Sequence, residues 1–207
     1  MSIKIRKALE ADSKFLALMI LQSSRAGKKD GIFDLIFNTN DDETILKALD
    51  ALTLTRAKTH CNFNNFLIAE LNGKKVGTLC SYEPRIATQD TFVLGLKEIG
   101  YDKDITSALE VMSCCDFDLN NRTLMFDFME ELEGFVDVGI LKTLMQKSLL
   151  TARLKGYRIG QARVEIGSLE TILFYKKLGF KQIAEKQSEL YKEKFGRAGQ
   201  ILLALEF

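Results

Sequence analysis

Apolar and polar residues alternate at the start of the chain, and residues 2–7, with Ile3 and Ile5 on one face, predict a first strand. Asp12 stands where a helix N-cap belongs, and Phe15, Leu18, Met19 and Gln22 follow it at helical spacing. "SSRAGKKDG" reads as a loop. "DDETILKALDALTL" opens on acidic caps and puts Ile45, Leu46, Leu49 and Leu52 on one face of a second helix. "NFLIAELNGKKVGTLCSY" predicts a hairpin from Phe66–Leu71 and Val76–Tyr82, turning at Asn72-Gly73 as a type I′ turn requires. Pro84 ends its second strand.

Residues from 85 to about 121 fit this rhythm less well and predict a mostly helical insertion. "TLMFDFMEEL" then reads as a strand. Residues 139–153 form a long amphipathic helix through Ile140, Leu141, Leu144, Met145, Ser148, Leu149 and Ala152, with Gly156 as the residue that ends it. "QARVEI", "LETILFYKKL", "FKQIAEK" and "QILLALEF" read as strand, short helix, strand and strand. The order β-α-α-β-β-(insertion)-β-α-β-α-β-β predicts an α/β domain over residues 1–207, a mixed sheet with helices on both faces.

Composition narrows the function. With 207 residues the chain buries a core without a disulfide or metal staple. A formal net charge of +1 and no dense Lys/Arg run argue against a nucleic-acid partner. Cys61, Cys80, Cys114 and Cys115 form no C-x-x-C pair and His60 is the single histidine, so no metal site is expected and the thiols are expected to be reduced. No signal-peptide plan and no uncharged run of the ~18 residues that span a bilayer appear. A cytoplasmic protein without membrane partners is expected.

The loop from Leu132 to Leu141 joins a strand to a helix, an arrangement that offers unpartnered N–H groups and the positive end of the helix dipole to an anion. Downstream, "SLETILFYKKLGFK" carries a phenol, Tyr175, at the end of a two-turn helix that stops at Gly179. The run strand, long helix, strand, then Ser168-x-x-Thr171-x-x-Phe174-Tyr175-x-Lys177-x-Gly179-Phe180 resembles the C-terminal half of the GCN5-related N-acetyltransferases. There the second helix typically reads Asn-x-x-Ala-x-x-Leu-Tyr-x-Lys-x-Gly-Phe. The first strand and helix, the Asn-Gly hairpin and the last strand also fall in that family's order.

The resemblance implies a mostly antiparallel central sheet of the acyl-CoA N-acyltransferase type, with the insertion before the central strand. It implies acetyl-CoA as cosubstrate and no metal. The donor would lie along Glu131, Leu132 and Glu133, then Val136, Asp137, Val138, Gly139, Ile140 and Leu141, with Ser168 and Tyr175 near its reactive end. The family's loop motif, Arg/Gln-x-x-Gly-x-Gly/Ala, falls on Val136 to Leu141, where Gly139 is kept, Val136 replaces the basic or amide residue and Leu141 the second glycine. Glu130, Glu131, Glu133 and Asp137 flank this anion site. A charge about 8 Å from a phosphate charge costs roughly 0.5 kcal/mol in water and roughly 2 kcal/mol at an effective dielectric of about 20.

The resemblance also implies roles. Tyr175 would protonate the departing CoA thiolate. A lysine-like amine is neutral roughly one part in two thousand at pH 7, which adds about 4–5 kcal/mol to the barrier unless a base helps. Asp127, Glu130 and Glu131 are candidates. Alternation puts Asp127, Met129 and Glu131 on one face and Phe126, Phe128 and Glu130 on the other. His60 is expected to be a surface or loop residue. The leading reading is acetyl transfer to the primary amine of a small molecule or a protein by direct attack. The rivals are a non-catalytic module that kept the fold, and a structural homodimer module.

Overall fold

The computed structural model describes residues 3–119, 123–135 and 139–206. Among them lie seven strands: β1 Ile3–Lys7, β2 Phe66–Leu71, β3 Lys74–Tyr82, β4 Thr123–Glu131, β5 Ile159–Glu165, β6 Lys181–Gln187 and β7 Gly199–Glu206. They form one sheet in the order β1-β2-β3-β4-β5-β7-β6. Only the β4–β5 pair is parallel. The helices are α1 Ser13–Arg25, α2 Ile32–Phe37, α3 Asp42–Thr53, α4 Gln89–Glu98, α5 Thr106–Ser113, α6 Ile140–Leu154, α7 Leu169–Lys177 and α8 Glu189–Phe195. None among the described residues is long and apolar enough to cross a membrane.

The expected mixed sheet with helices on both faces is present. On one face α1, α2 and α3 pack with α4 of the insertion over Phe66, Ile68, Cys80 and Met125. On the other, α6 and α7 cover Ala69, Val76, Leu79, Phe126 and Ala162. The hairpin turns where expected, with Asn72 at φ 51° and Gly73 at φ 78°, the positive values a type I′ turn needs. Gly156, at φ 83°, follows α6 as expected.

Two helices were not legible. α2 and α8 have six and seven residues, under or about two turns, too short for a helical period to show. Asp12 departs from its expected role. Its carboxylate caps no α1 N–H; it takes the Leu9 N–H at 2.8 Å and pairs with Arg6 at 2.7 and 3.0 Å and Lys75 at 3.2 Å. Two cations outweigh one neutral cap, and Arg6 holds the Asp12 carboxyl well below the usual range.

Two irregularities create the site. β4 and β5 pair only from Thr123–Phe126 and Ile159–Ala162, although both strands continue, so the sheet splits beyond Phe126. Next, β4 carries a bulge. Its partner positions step from Asp127 to Glu130 while β3 steps only from Cys80 to Thr78. The extra residue is Phe128, in the left-handed region at φ 42°. Its N–H donates to Asp127 Oδ1 at 2.8 Å and its carbonyl accepts from the Thr78 hydroxyl at 3.1 Å. The bulge overturns the expected alternation. Phe126 meets Phe180 on the α7 face (6.2 Å), whereas Phe128 stacks on Phe66 on the opposite face (6.1 Å).

Gly77 on β3 lets α6 approach. A Cβ there would lie 2.8 Å from Ile140 Cγ2 and 2.9 Å from the Glu130 carbonyl oxygen. Gly77→Ala is therefore expected to lower stability by about 1–3 kcal/mol through overpacking, read as a lower urea midpoint at unchanged slope. An unchanged midpoint would mean that the start of α6 shifts freely.

Candidate active site

Because pairing stops at Phe126 and Ala162, the next residues, Asp127 and Arg163, face each other across the mouth of the split. A cavity of about 960 Å³ fills this space, and its wall includes His60, Asp127, Glu130, Arg163, Glu165 and Tyr175. A second recess of about 430 Å³ is lined by Gln22, Glu130, Glu131, Glu133 and Leu141. Gln22 joins the two. Its Nε2 donates to Glu130 Oε2 at 2.7 Å and to the Glu131 carbonyl at 3.2 Å.

Local sequence explains how Tyr175 is held. Gly179, at φ 95°, stops α7, and the Phe180 N–H turns back to the Tyr175 carbonyl at 3.1 Å. Phe180 then packs edge-on against the Tyr175 ring at 5.0 Å. Tyr175 is 4% exposed. Burial, and then the charge of Asp127, pushes its phenol well above the ordinary value, so it stays protonated at neutral pH. Ser168 lines the same cavity at the start of α7.

Three candidate bases separate. Asp127 lines the large cavity; burial raises its pKa, while Arg163 and the Phe128 N–H oppose the rise. Glu130 lines both spaces, and burial pushes it up to about 7 against the Gln22 hydrogen bond. Glu131 lines only the second recess, with Glu133. The structure thus brings Tyr175 and Asp127 together and places Glu131 away from them.

At the loop, Gly139 adopts φ 85°, and among the described residues nothing lies within 4 Å of where its Cβ would stand. Ile140 is fully buried beneath Gly77 and has only its backbone to offer. Leu141 lines the recess. The Leu132 N–H is taken by the Val76 carbonyl at 2.8 Å, which corrects its expected role as a main-chain donor: pairing with β3 runs one residue past the strand. Val136, Asp137 and Val138 lie outside the described residues.

His60 lies in a turn, as expected, but its ring faces inward. It is half-buried in the cavity wall, between Phe92 at 5.2 Å, Phe128 at 5.7 Å and Tyr82 at 5.9 Å. Burial, then the charge of Arg163, pushes its imidazole down to about 4, so it is neutral at pH 7. Nothing local in "KTHCNF" signals this. Sequence reasoning also passed over Arg163 and Glu165. Their i, i+2 spacing in "QARVEI" puts them on one face, but only strand pairing shows that this face opens on the cavity.

No family model matches the sequence, and no curated protein matches it. Solved structures do resemble the fold. An N-acetyltransferase from Staphylococcus aureus Mu50 aligns at TM-score 0.70 and 16% identity, over 98% of this chain and 100% of that one. A GCN5-related N-acetyltransferase from Kribbella flavida aligns at 0.61 and 14%, over 99% and 98%. A PaiA N-acetyltransferase from Thermoplasma acidophilum, in complex with coenzyme A, aligns at 0.55 and 15%, over 100% of both. A sheet split beside a bulged β4, α6 starting at the split and α7 presenting Tyr175, set beside these whole-chain alignments, show that this chain has the fold of the GCN5-related N-acetyltransferases.

Proposed function

We propose that the protein transfers the acetyl group of acetyl-CoA to a primary amine by direct attack, without a covalent enzyme intermediate. The observation that carries this reading is the adjacency of the two spaces, which share Gln22 and Glu130 as their common wall. The recess at the start of α6 lies across Gln22 and Glu130 from the cavity that holds Asp127 and Tyr175. A long thioester laid along β4 would place its phosphate end near Gly139 and its reactive end at the split. The coenzyme A in the Thermoplasma structure supports such a donor.

In this reading Glu130, poised near neutrality, takes the proton of the acceptor ammonium, directly or through a water. The nitrogen attacks the thioester carbonyl, the C–N bond forms and the C–S bond breaks. Tyr175 gives its proton to the leaving sulfur, and the proton that the new amide nitrogen sheds restores the phenol. Asp127 faces the acceptor and favours the ammonium on arrival. Glu131, Glu133 and Leu141 in the recess favour the rival reading, a binding module that kept the fold and lost the donor.

Calorimetry and thermal shift with acetyl-CoA decide between the two. At one hundred times Kd the donor is expected to stabilise the protein by about 2.7 kcal/mol, roughly 5–10 °C for a chain of this size. No heat and no shift at millimolar acetyl-CoA would favour the module.

A further inference from the structure

Arg163 is a cation of the cavity wall, with Lys28 and Arg197, that acetyl transfer does not use. It projects from β5 opposite Asp127, with its side chain only 28% exposed. Its carboxylate partner is Asp116, 2.8 Å from Nη1, on the segment that follows α5. Asp116 is itself 56% exposed. Three other carboxylates at the wall are engaged differently. Glu165 accepts from Lys28 and from the Tyr191 hydroxyl, with Arg197 nearby, Glu130 accepts from Gln22, and Asp127 accepts from a backbone N–H. So the cavity wall holds a guanidinium whose directly paired carboxylate, Asp116, sits largely in water, with the Tyr82 hydroxyl and the charge of Asp127 also acting on it.

A half-buried guanidinium resists losing its counter-charge but tolerates exchanging it, and a bidentate carboxylate suits its planar fork. Exchange here releases Asp116 into solvent that it already contacts. The cavity is also tied across from two sides. Lys28 of the α1–α2 loop reaches Glu165 at the end of β5 and lies over the Phe195 ring at 4.9 Å. Lys186 of β6 donates to the Asp116 carbonyl and lies over the Phe117 ring at 5.8 Å. Both ties border the cavity, and a small molecule fits a space of this volume.

From this we infer that the acceptor is a small amino-carboxylate, such as a free amino acid, whose carboxylate replaces Asp116 on Arg163 while its amine lies between Asp127 and Tyr175. The inference rests on the acetyl-transfer reading and names its substrate class. Arg163 acts as a specificity residue. The fixed positive charge also lowers the ammonium pKa beside it, which eases deprotonation.

The experiment compares free amino acids with their primary amides as acceptors, using acetyl-CoA and free-thiol detection on the full chain. One or more amino acids should exceed their amides in kcat/KM by about 10- to 100-fold. Arg163→Met should collapse that ratio toward one, and Arg163→Lys should restore part of it. Asp116→Asn removes the competing carboxylate and should raise the ratio several-fold, a gain that a merely structural role for the pair would not produce. It keeps the test sound where Arg163→Met fails to fold. Amides or simple amines that match or exceed every amino acid, or acetyl-CoA binding with no amino acid bound or acetylated, would overturn the inference and leave the donor site standing. Failure to bind acetyl-CoA would instead remove the acetyl-transfer reading, and this inference with it.

Discussion

Tyr175→Phe is expected to lower kcat by about 10²- to 10⁴-fold while leaving donor affinity nearly unchanged. The substitution keeps the ring, its edge-on contact with Phe180 at 5.0 Å and the burial of α7 against the sheet. It removes only the hydroxyl. Burial holds the phenol well above its ordinary value, which keeps the proton on the oxygen, and the same burial disfavours a free thiolate, so the proton moves as the sulfur charge develops beside it. An interaction made mainly in the transition state appears in kcat and hardly in binding. A packing role for Tyr175 gives a different result, about 1 kcal/mol of stability and no kinetic change. Full turnover by Tyr175→Phe on any amine that the wild-type protein acetylates would remove the acid from α7.

Glu130→Gln is expected to lower kcat/KM by a similar factor and to abolish an acid limb centred near pH 7. The base must be ionised to accept a proton. With Glu130 at about 7, wild-type kcat/KM should fall tenfold per pH unit below that value. Gln22 opposes the shift by donating to the carboxylate. Gln22→Met should therefore move the limb to higher pH, a displacement that loss of packing alone does not predict. Stability gives a second sign. The folded pKa lies above the unfolded value, so the protonated carboxyl is favoured in the fold. That contribution is complete below the unfolded value near 4.5 and is lost as pH rises through about 7. Glu130→Gln should accordingly be more stable than wild type above pH 7. A limb that persists in Glu130→Gln would pass the role to Asp127.

What the chain itself determined is local. The Asn72-Gly73 turn, the stop at Gly179, the end at Gly156 and the amphipathic course of α6 each depend on a few neighbouring residues with restricted φ or a helical period, and each stands where it was read. The same stretch placed Tyr175 at the end of α7, because spacing within nine residues suffices. Three features were settled only by the fold. The bulge at Phe128 needs β3 beside β4 to count the extra residue, and without it alternation assigns Phe126 and Phe128 to the same face. The meeting of Asp127 with Arg163 needs the parallel β4–β5 register, which joins residues 36 positions apart in sequence and then releases them. The shifts of Glu130 and His60 need knowledge of what buries each group, and desolvation comes from every element packed around a side chain rather than from its own strand or loop.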